Sequence, residues 1–362
     1  MKRKLTAVLL GLSLVASLTA CGGAKEESAG SSPAAAPEAP AADSSAAETE
    51  ESADTLMGSD SATVRFKVGT TTAPEGHYVK GLIEMQSLLE EYSEGEMTLD
   101  IYPNSQLGNE RDMMENVGMG VQEMCLVSTG PIPNFVADFA ALDLPYLFET
   151  AEDAYAVLDG EIGQNLLGQL GTQGIVGLGF WENGFRDVTN NTKEVVTPED
   201  LSGMKIRTME NNVHIATYEA LGATATPMAW GEIFTALQQG TVDGQENPIA
   251  IIESAKVYEV QKYCSMIDLF YSPCVLMISQ SIYDGLSDAQ KDALTKAADE
   301  AKTYQREYSQ NYNTDAIKTM EEAGVTVTEV DKEVWKSAIN YDDIISKSGL
   351  KVDQALLDEL LK

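Results

Sequence analysis

Arg186 and Arg207 are the residues of this chain best suited to grip a small anion. A guanidinium stays charged at physiological pH, and its planar fork donates two parallel hydrogen bonds to a carboxylate. Arg207 ends Lys205-Ile206-Arg207, a predicted short strand, and Thr208 to Asn211 turn from it into the next helix. Arg186 stands in Gly184-Phe185-Arg186, after a strand read as ending at Trp181. Trp230 follows, and then Asn247 within Asp243-Gly244-Gln245-Glu246-Asn247-Pro248, a polar stretch read as a turn. In open α/β sheets ligands bind beyond the carboxyl ends of strands, where loops converge. The competing expectation, in a chain this acidic, is that either arginine serves a structural ion pair.

His77 and Glu110 each open a predicted helix. At His77, terminal amides and an imidazole can meet ligand oxygens. At Glu110, after Gly108-Asn109, a carboxylate either favours the positive helix end or faces the cleft. In the second case it accepts hydroxyl donors and suits a uronate or aldonate better than a plain dicarboxylate. Trp230 reads equally as a stacking platform for a sugar ring and as core.

The elements that must position these residues alternate. Val64, Phe66 and Val68 give a strand by period two, and Leu82, Met85, Leu88, Leu89 and Tyr92 recur at helical spacing from His77. Met97, Leu99 and Ile101 alternate again, Glu110 to Val117 reads as a helix, and Met124 to Val127 as a short buried strand. Ala151 to Leu170 is predicted to be one helix, followed by a strand through Leu178. Thr197-Pro198-Glu199-Asp200 is a helix start, and two more helices, Val213 to Leu221 and Glu232 to Gln239, flank a strand at Thr224 to Met228. Strands separated by helices indicate an α/β protein with a mainly parallel sheet. Ser287 to Glu322 is nearly free of Gly and Pro, so it reads as one helix roughly 50 Å long, enough to run along two lobes.

Lys2, Arg3 and Lys4 precede an apolar run from Leu5 to Leu18 and then Thr19-Ala20-Cys21. That is an export signal, too short for a lasting membrane span, with the bacterial lipobox placing Cys21 as an acylated first residue. Acyl chains contribute roughly 0.8 kcal/mol per buried methylene, enough in combination to tether the chain to a membrane face outside the cytoplasm. Residues 22–62 collapse to Ala, Ser, Glu, Pro and Gly and read as a disordered leash. The signal carries +3 and the leash −8 of the net −33, so −28 falls on the remaining 300 residues. Nucleic acid and anionic lipid are therefore excluded as electrostatic partners. Beyond Cys21 three cysteines remain, Cys125, Cys264 and Cys274, an odd number that argues against a disulfide framework. Cys264 and Cys274 are read as buried thiols, with a pair between them as the alternative.

Only two histidines, His77 and His214, occur. No zinc spacing, no Gly-x-Ser-x-Gly elbow and no phosphate-cradling loop is present, so neither a metal nor another cofactor is implied. Carboxylates are plentiful, which leaves an acid/base pair open on composition alone.

Several motifs then point one way. Gly222-Ala223, Thr226-Pro227-Met228-Ala229-Trp230, Ala236-Leu237-Gln238-Gln239-Gly240 and Asp243 to Pro248 resemble the solute-binding subunits of TRAP transporters, the tripartite ATP-independent periplasmic systems, in their dicarboxylate-type branch. Pro103-Asn104-Ser105-Gln106-Leu107-Gly108, Leu144-Pro145-Tyr146-Leu147-Phe148 and Tyr258 to Tyr263 extend the likeness from about Val64 to Tyr341. The resemblance implies a two-lobed clamshell with a long helix spanning both lobes. Lobe I would comprise residues 63–184 and 273–312, and lobe II residues 185–272 and 313–362. It implies Arg207 as main carboxylate ligand, Arg186 as its assistant, Asn247 on the opposite wall and Trp230 as the aromatic of the pocket. Where many relatives follow the histidine with proline, this chain has Tyr78. The implied protein is a monomer and no enzyme. It closes on a small organic acid and passes it to TRAP membrane subunits driven by an ion gradient. A ligand-presenting sensory lipoprotein and the binding component of an ATP-driven importer share this two-lobe logic.

Overall fold

Two strands of unusual length frame the protein in the computed structural model, which describes residues 55–362. The signal with Cys21 and the leash through residue 54 lie outside the described residues. In chain order the elements are β1 (Val64–Gly69), α1 (His77–Tyr92), β2 (Met97–Tyr102), α2 (Glu110–Gly118), β3 (Met124–Ser128), α3 (Ala151–Leu158), α4 (Glu161–Gln169) and β4 (Ile175–Asn190). There follow β5 (Lys205–Thr208), α5 (Asn212–Ala220), β6 (Thr224–Pro227), α6 (Ile233–Gln238), β7 (Gly244–Asn247), α7 (Ile249–Ser254) and β8 (Tyr263–Ser279). The chain ends through α8 (Gln280–Gly285), α9 (Asp288–Glu322), β9 (Thr326–Glu329), α10 (Lys332–Ala338), α11 (Tyr341–Ser348) and α12 (Gln354–Leu360).

The described strands form one sheet in the order β2-β1-β3-β8-β4-β7-β5-β6, with β9 pairing β8. Each flank is parallel, β1 with β2 and β3, and β5 with β6 and β7. The centre is antiparallel, through β3–β8, β8–β4 and β4–β7. The expected mainly parallel sheet thus holds within the flanks only. β4 and β8 are single uninterrupted crossings that run in opposite directions, and such neighbours can pair only antiparallel.

β4 therefore does not stop at Trp181; it continues through Arg186 to Asn190. Its pairing with β8 slips between Glu182 and Gly184, and Gly184 takes φ 124° there. That conformation favours glycine, and a Cβ would also come 3.1 Å from the Pro248 ring. Helix α9 braces the slip. Gln305 accepts from the Glu182 amide at 2.9 Å and donates to the Glu182 carbonyl at 2.8 Å, replacing ladder bonds. Ser287 starts this 35-residue helix with a capping box to Gln290. The buried Ala293, Ala297, Ala298 and Ala301 let its first half pack against α1, while Ala316 and Met320 join the core beside α7.

Three sequence expectations change. The helix expected over 151–170 is two helices, broken at Asp159-Gly160, where Asp159 turns away to bind Arg306 and Lys302 of α9. The leash ends sooner than residue 62: Leu56 exchanges both backbone hydrogen bonds with Ile101, and Gly58 donates to Asp100. Leu56 against β2, with Ser59 bonded to Glu90 and Arg65, fixes a segment whose composition alone reads as unfolded. Asp243 to Pro248 is not a turn, because Gly244–Asn247 is β7, buried between β4 and β5. Cys125, Cys264 and Cys274 are free and buried.

Candidate functional site

Arg207 occupies the third position of β5, opposite Gln245 of β7 and Thr226 of β6. Its Nε and Nη2 both donate to the carbonyl of Met228, at 3.0 and 2.6 Å. That single acceptor fixes the plane of the fork and leaves its far side without a protein partner. Among the described residues Arg207 makes no ion pair, although it is only 2% exposed. Burial, the largest influence, and the nearby Arg186 charge bring its pKa down to about 10, against the pull of Glu246, Glu110 and Glu210. It remains a cation at neutral pH. A buried guanidinium without a counter-ion is costly, so the site is built for an anion to arrive.

Beside it lies a narrow, partly open pocket between the two flanks of the sheet, with about 340 Å³ of space between atoms once the adjoining solvent is counted. Five of the six side chains expected at the site line it: Arg207, Arg186, Asn247, Trp230 and Glu110. Thr71, Thr72, Tyr78, Ser128, Asn183, Met209 and Ile251 complete the wall. Arg186 differs from Arg207 in its pairing. Its Nε and Nη2 bind the Glu246 carboxylate, and Nη2 also reaches the Glu246 carbonyl and Asn247 Oδ1, both at 2.9 Å. Burial would lower its pKa, but contact with Glu246 prevails and raises it. Glu246, buried too, is pulled down to about 2 by Arg186 and His214. The ion-pair reading thus describes Arg186, while Arg207 carries the unneutralised charge. Two buried polar atoms on cavity residues, Nη1 of Arg186 and Oδ1 of Asn183, have no protein partner, one a donor and one an acceptor. Such atoms call for a ligand or water.

The sequence profile of the bacterial extracellular solute-binding proteins, family 7, matches residues 68–344. The chain belongs to that family. It is 36% identical over 277 residues to the 2,3-diketo-L-gulonate-binding periplasmic protein of Escherichia coli K12, covering 76% of this chain and 84% of the relative. It is 32% identical over 300 residues to the C4-dicarboxylate-binding periplasmic protein of Rhodobacter capsulatus, covering 80% and 89%. The crystal structure of a TRAP periplasmic solute-binding protein from Polaromonas sp. JS666, bound to D-erythronate, superposes with a TM-score of 0.75 at 38% identity, over 80% of this chain and all of that one. These are extracytoplasmic transport proteins of two-lobed clamshell fold, and they are not enzymes.

In this solute-binding protein His77 does not line the cavity. Its ring is fully buried beside the backbone of Glu182 and Asn183, and burial pushes its pKa down to about 4, so it is neutral. Tyr78, edge-on to it at 4.8 Å, takes the wall position instead. One helical residue turns the side chain by about 100°, enough to exchange a cavity position for a core one. Glu110 does line the cavity and also begins α2, so the two readings of it coexist. Its oxygens accept from the amide and hydroxyl of Ser128, at 2.7 and 2.9 Å. Burial raises its pKa, and the Ser128 donors oppose that. Trp230, half-buried, reaches the cavity from the 3₁₀ turn before α6.

His214 was not among the residues expected at the site. Its imidazole stacks on Phe270 at 4.1 Å and stands 3.3 Å from Asp143 and 3.7 Å from Glu246. Burial disfavours its charge, but the two carboxylates outweigh it and raise its pKa. On one side the cavity is shut by contacts between the flanks. Asn134 donates to the Glu210 carbonyl at 2.9 Å, and Asn211 to the Gly130 carbonyl at 2.8 Å. Met209 sits so close to Gly130 that a Cβ there would meet its sulfur at 2.5 Å.

Proposed function

We propose that this protein captures a small organic carboxylate, a sugar acid or C4-dicarboxylate, between two closing lobes and delivers it to the membrane subunits of a TRAP transporter. The observation that carries the proposal is Arg207, a buried guanidinium fixed by one carbonyl, facing the pocket between the flanks without a counter-ion. The ligand carboxylate takes the free side of that fork and meets Arg186 Nη1, the second unpartnered donor. Asn247 and Trp230 hold the remainder of the molecule. Closure turns on β4 and β8 where their pairing slips, with lobe I at 63–184 and 273–312 and lobe II at 185–272 and 313–362. The family's transport role, a carboxylate-binding relative and an erythronate-bound neighbour support the ligand class. The lipobox supports an anchor at Cys21 on the outer face of the cytoplasmic membrane or in the periplasm, and the protein acts as a monomer. Calorimetry with a panel of sugar acids and dicarboxylates is the test. Arg207→Ala should weaken binding of whichever acid binds by at least about 2 kcal/mol, the scale for removing one partner of a buried charged contact. Unchanged affinity refutes the role.

A further inference from the structure

Resting on that reading, we infer that Glu110 is the residue that sets ligand class, selecting a polyhydroxylated monocarboxylate over a dicarboxylate. Arg186 is neutralised by Glu246, so Arg207 is the one guanidinium on the wall free to balance a ligand carboxylate. No lysine or histidine lines the same space. Glu110 is the only carboxylate on that wall, and among the described residues it makes no ion pair. Its partners are the amide and hydroxyl of Ser128, one on each oxygen, so it stands as an acceptor with a lone pair left on each.

A ligand that fits this wall carries one carboxylate for Arg207 and a hydroxyl donor for Glu110. An aldonate supplies both. A second carboxylate finds no uncompensated cation and meets a like charge at Glu110, the arrangement by which sites reject a wrong partner. Asn183 Oδ1, buried and unpartnered on the same wall, is a further acceptor that a ligand hydroxyl can satisfy.

The experiment compares matched acids that differ at one end: galactonate with galactarate, and erythronate with meso-tartrate. Affinities are measured by calorimetry on the full chain, wild type, Glu110→Gln and Arg207→Ala. Glutamine keeps the shape of the side chain and an acceptor for Ser128, and Glu110→Asp serves as a second variant if Glu110→Gln fails to fold. Wild type should bind the aldonate of a pair at least tenfold more tightly than the aldarate. Glu110→Gln should weaken the aldonate roughly 10- to 100-fold, the loss of one hydrogen bond to a charged acceptor, and bring the ratio of the pair towards one. A wild-type preference for the aldarate, or a ratio unmoved by Glu110→Gln, overturns the inference. If Arg207→Ala still abolishes binding in that case, the proposed function stands without it. If no acid binds, or Arg207→Ala binds as wild type does, both fall.

Discussion

Replacing Glu246 with glutamine isolates the ion pair beneath the cavity, because the change removes a charge and almost no volume. Arg186 and Glu246 both have fully buried side chains. Breaking such a pair from one side costs about 3–5 kcal/mol, since the remaining charge is left in a poor solvent. Part of this is recovered. Arg186 keeps its bonds to the Glu246 carbonyl and to Asn247, and the glutamine oxygen can accept one neutral hydrogen bond worth about 1 kcal/mol. The expected net loss is about 2–4 kcal/mol. For roughly 300 ordered residues the unfolding entropy is about 0.6 kcal/mol/K, so the melting temperature should fall by about 3–7 °C. Calorimetric or circular-dichroism melts of wild type, Glu246→Gln, Arg186→Met and the double variant give the coupling directly. The double variant should lose less than the sum of the singles by at least about 1.5 kcal/mol, since it strands no charge. A Glu246→Gln protein melting within 1 °C of wild type, or strictly additive singles, would refute the reasoning.

His214 links the same cluster to pH. Its folded pKa lies above the unfolded value of 6.5, so its contribution is complete below pH 6.5 and disappears as pH rises through the folded value. As pH rises above 6.5, the urea midpoint of wild type should therefore fall relative to His214→Gln, and parallel curves would exclude the link. Glu246, depressed to about 2, acts in the opposite sense: its contribution is lost as pH falls from the ordinary carboxylate range near 4.5 towards 2. Gln305→Ala strands the amide and carbonyl of Glu182 at the slip between β4 and β8, and should lower stability by about 1–3 kcal/mol in chemical denaturation. Ligand association, followed by the fluorescence of Trp230 at the cavity wall, should accelerate as salt screens the acidic surface. A rate that falls steeply with salt would instead show attraction by the whole molecule.

What the sequence made legible was set by which faces are apolar. β1, β2 and β3 were readable because Phe66, Val68, Leu99 and Leu126 alternate or cluster against α1 and α9, and period is the signal sequence carries best. β7 was not, since all four residues of Gly-Gln-Glu-Asn are buried yet none is a large apolar side chain. Their burial is bought by mutual pairing: Gln245 to Thr189, Glu246 to Arg186, Asn247 to Gln245. β8 was missed for the reverse reason, because seventeen residues with Pro273 in the middle exceed an ordinary strand. The proline is tolerated where the pairing with β4 slips at Glu182. Both expected arginines line the cavity, but which of them is neutralised by an ion pair was not legible. Which of the two meets Glu246 depends on β4 and β7 being neighbours, a contact sixty residues apart in the chain.

That division between the two arginines also answers how so acidic a protein could hold the proposed anion. Of the net −33, −28 falls on residues 63–362, and the exposed groups among them are screened by water and salt beyond about 8–10 Å. Inside, the balance is kept by hand. One arginine is cancelled by Glu246, the other is left open, and Glu110 faces the same cavity with its oxygens held by Ser128. Because these groups are buried and held by hydrogen bonds, they act at short range. Adding surface acids to such a protein would slow the encounter. Adding or removing one charge among Arg186, Arg207, Glu110 and Glu246 would change what is bound.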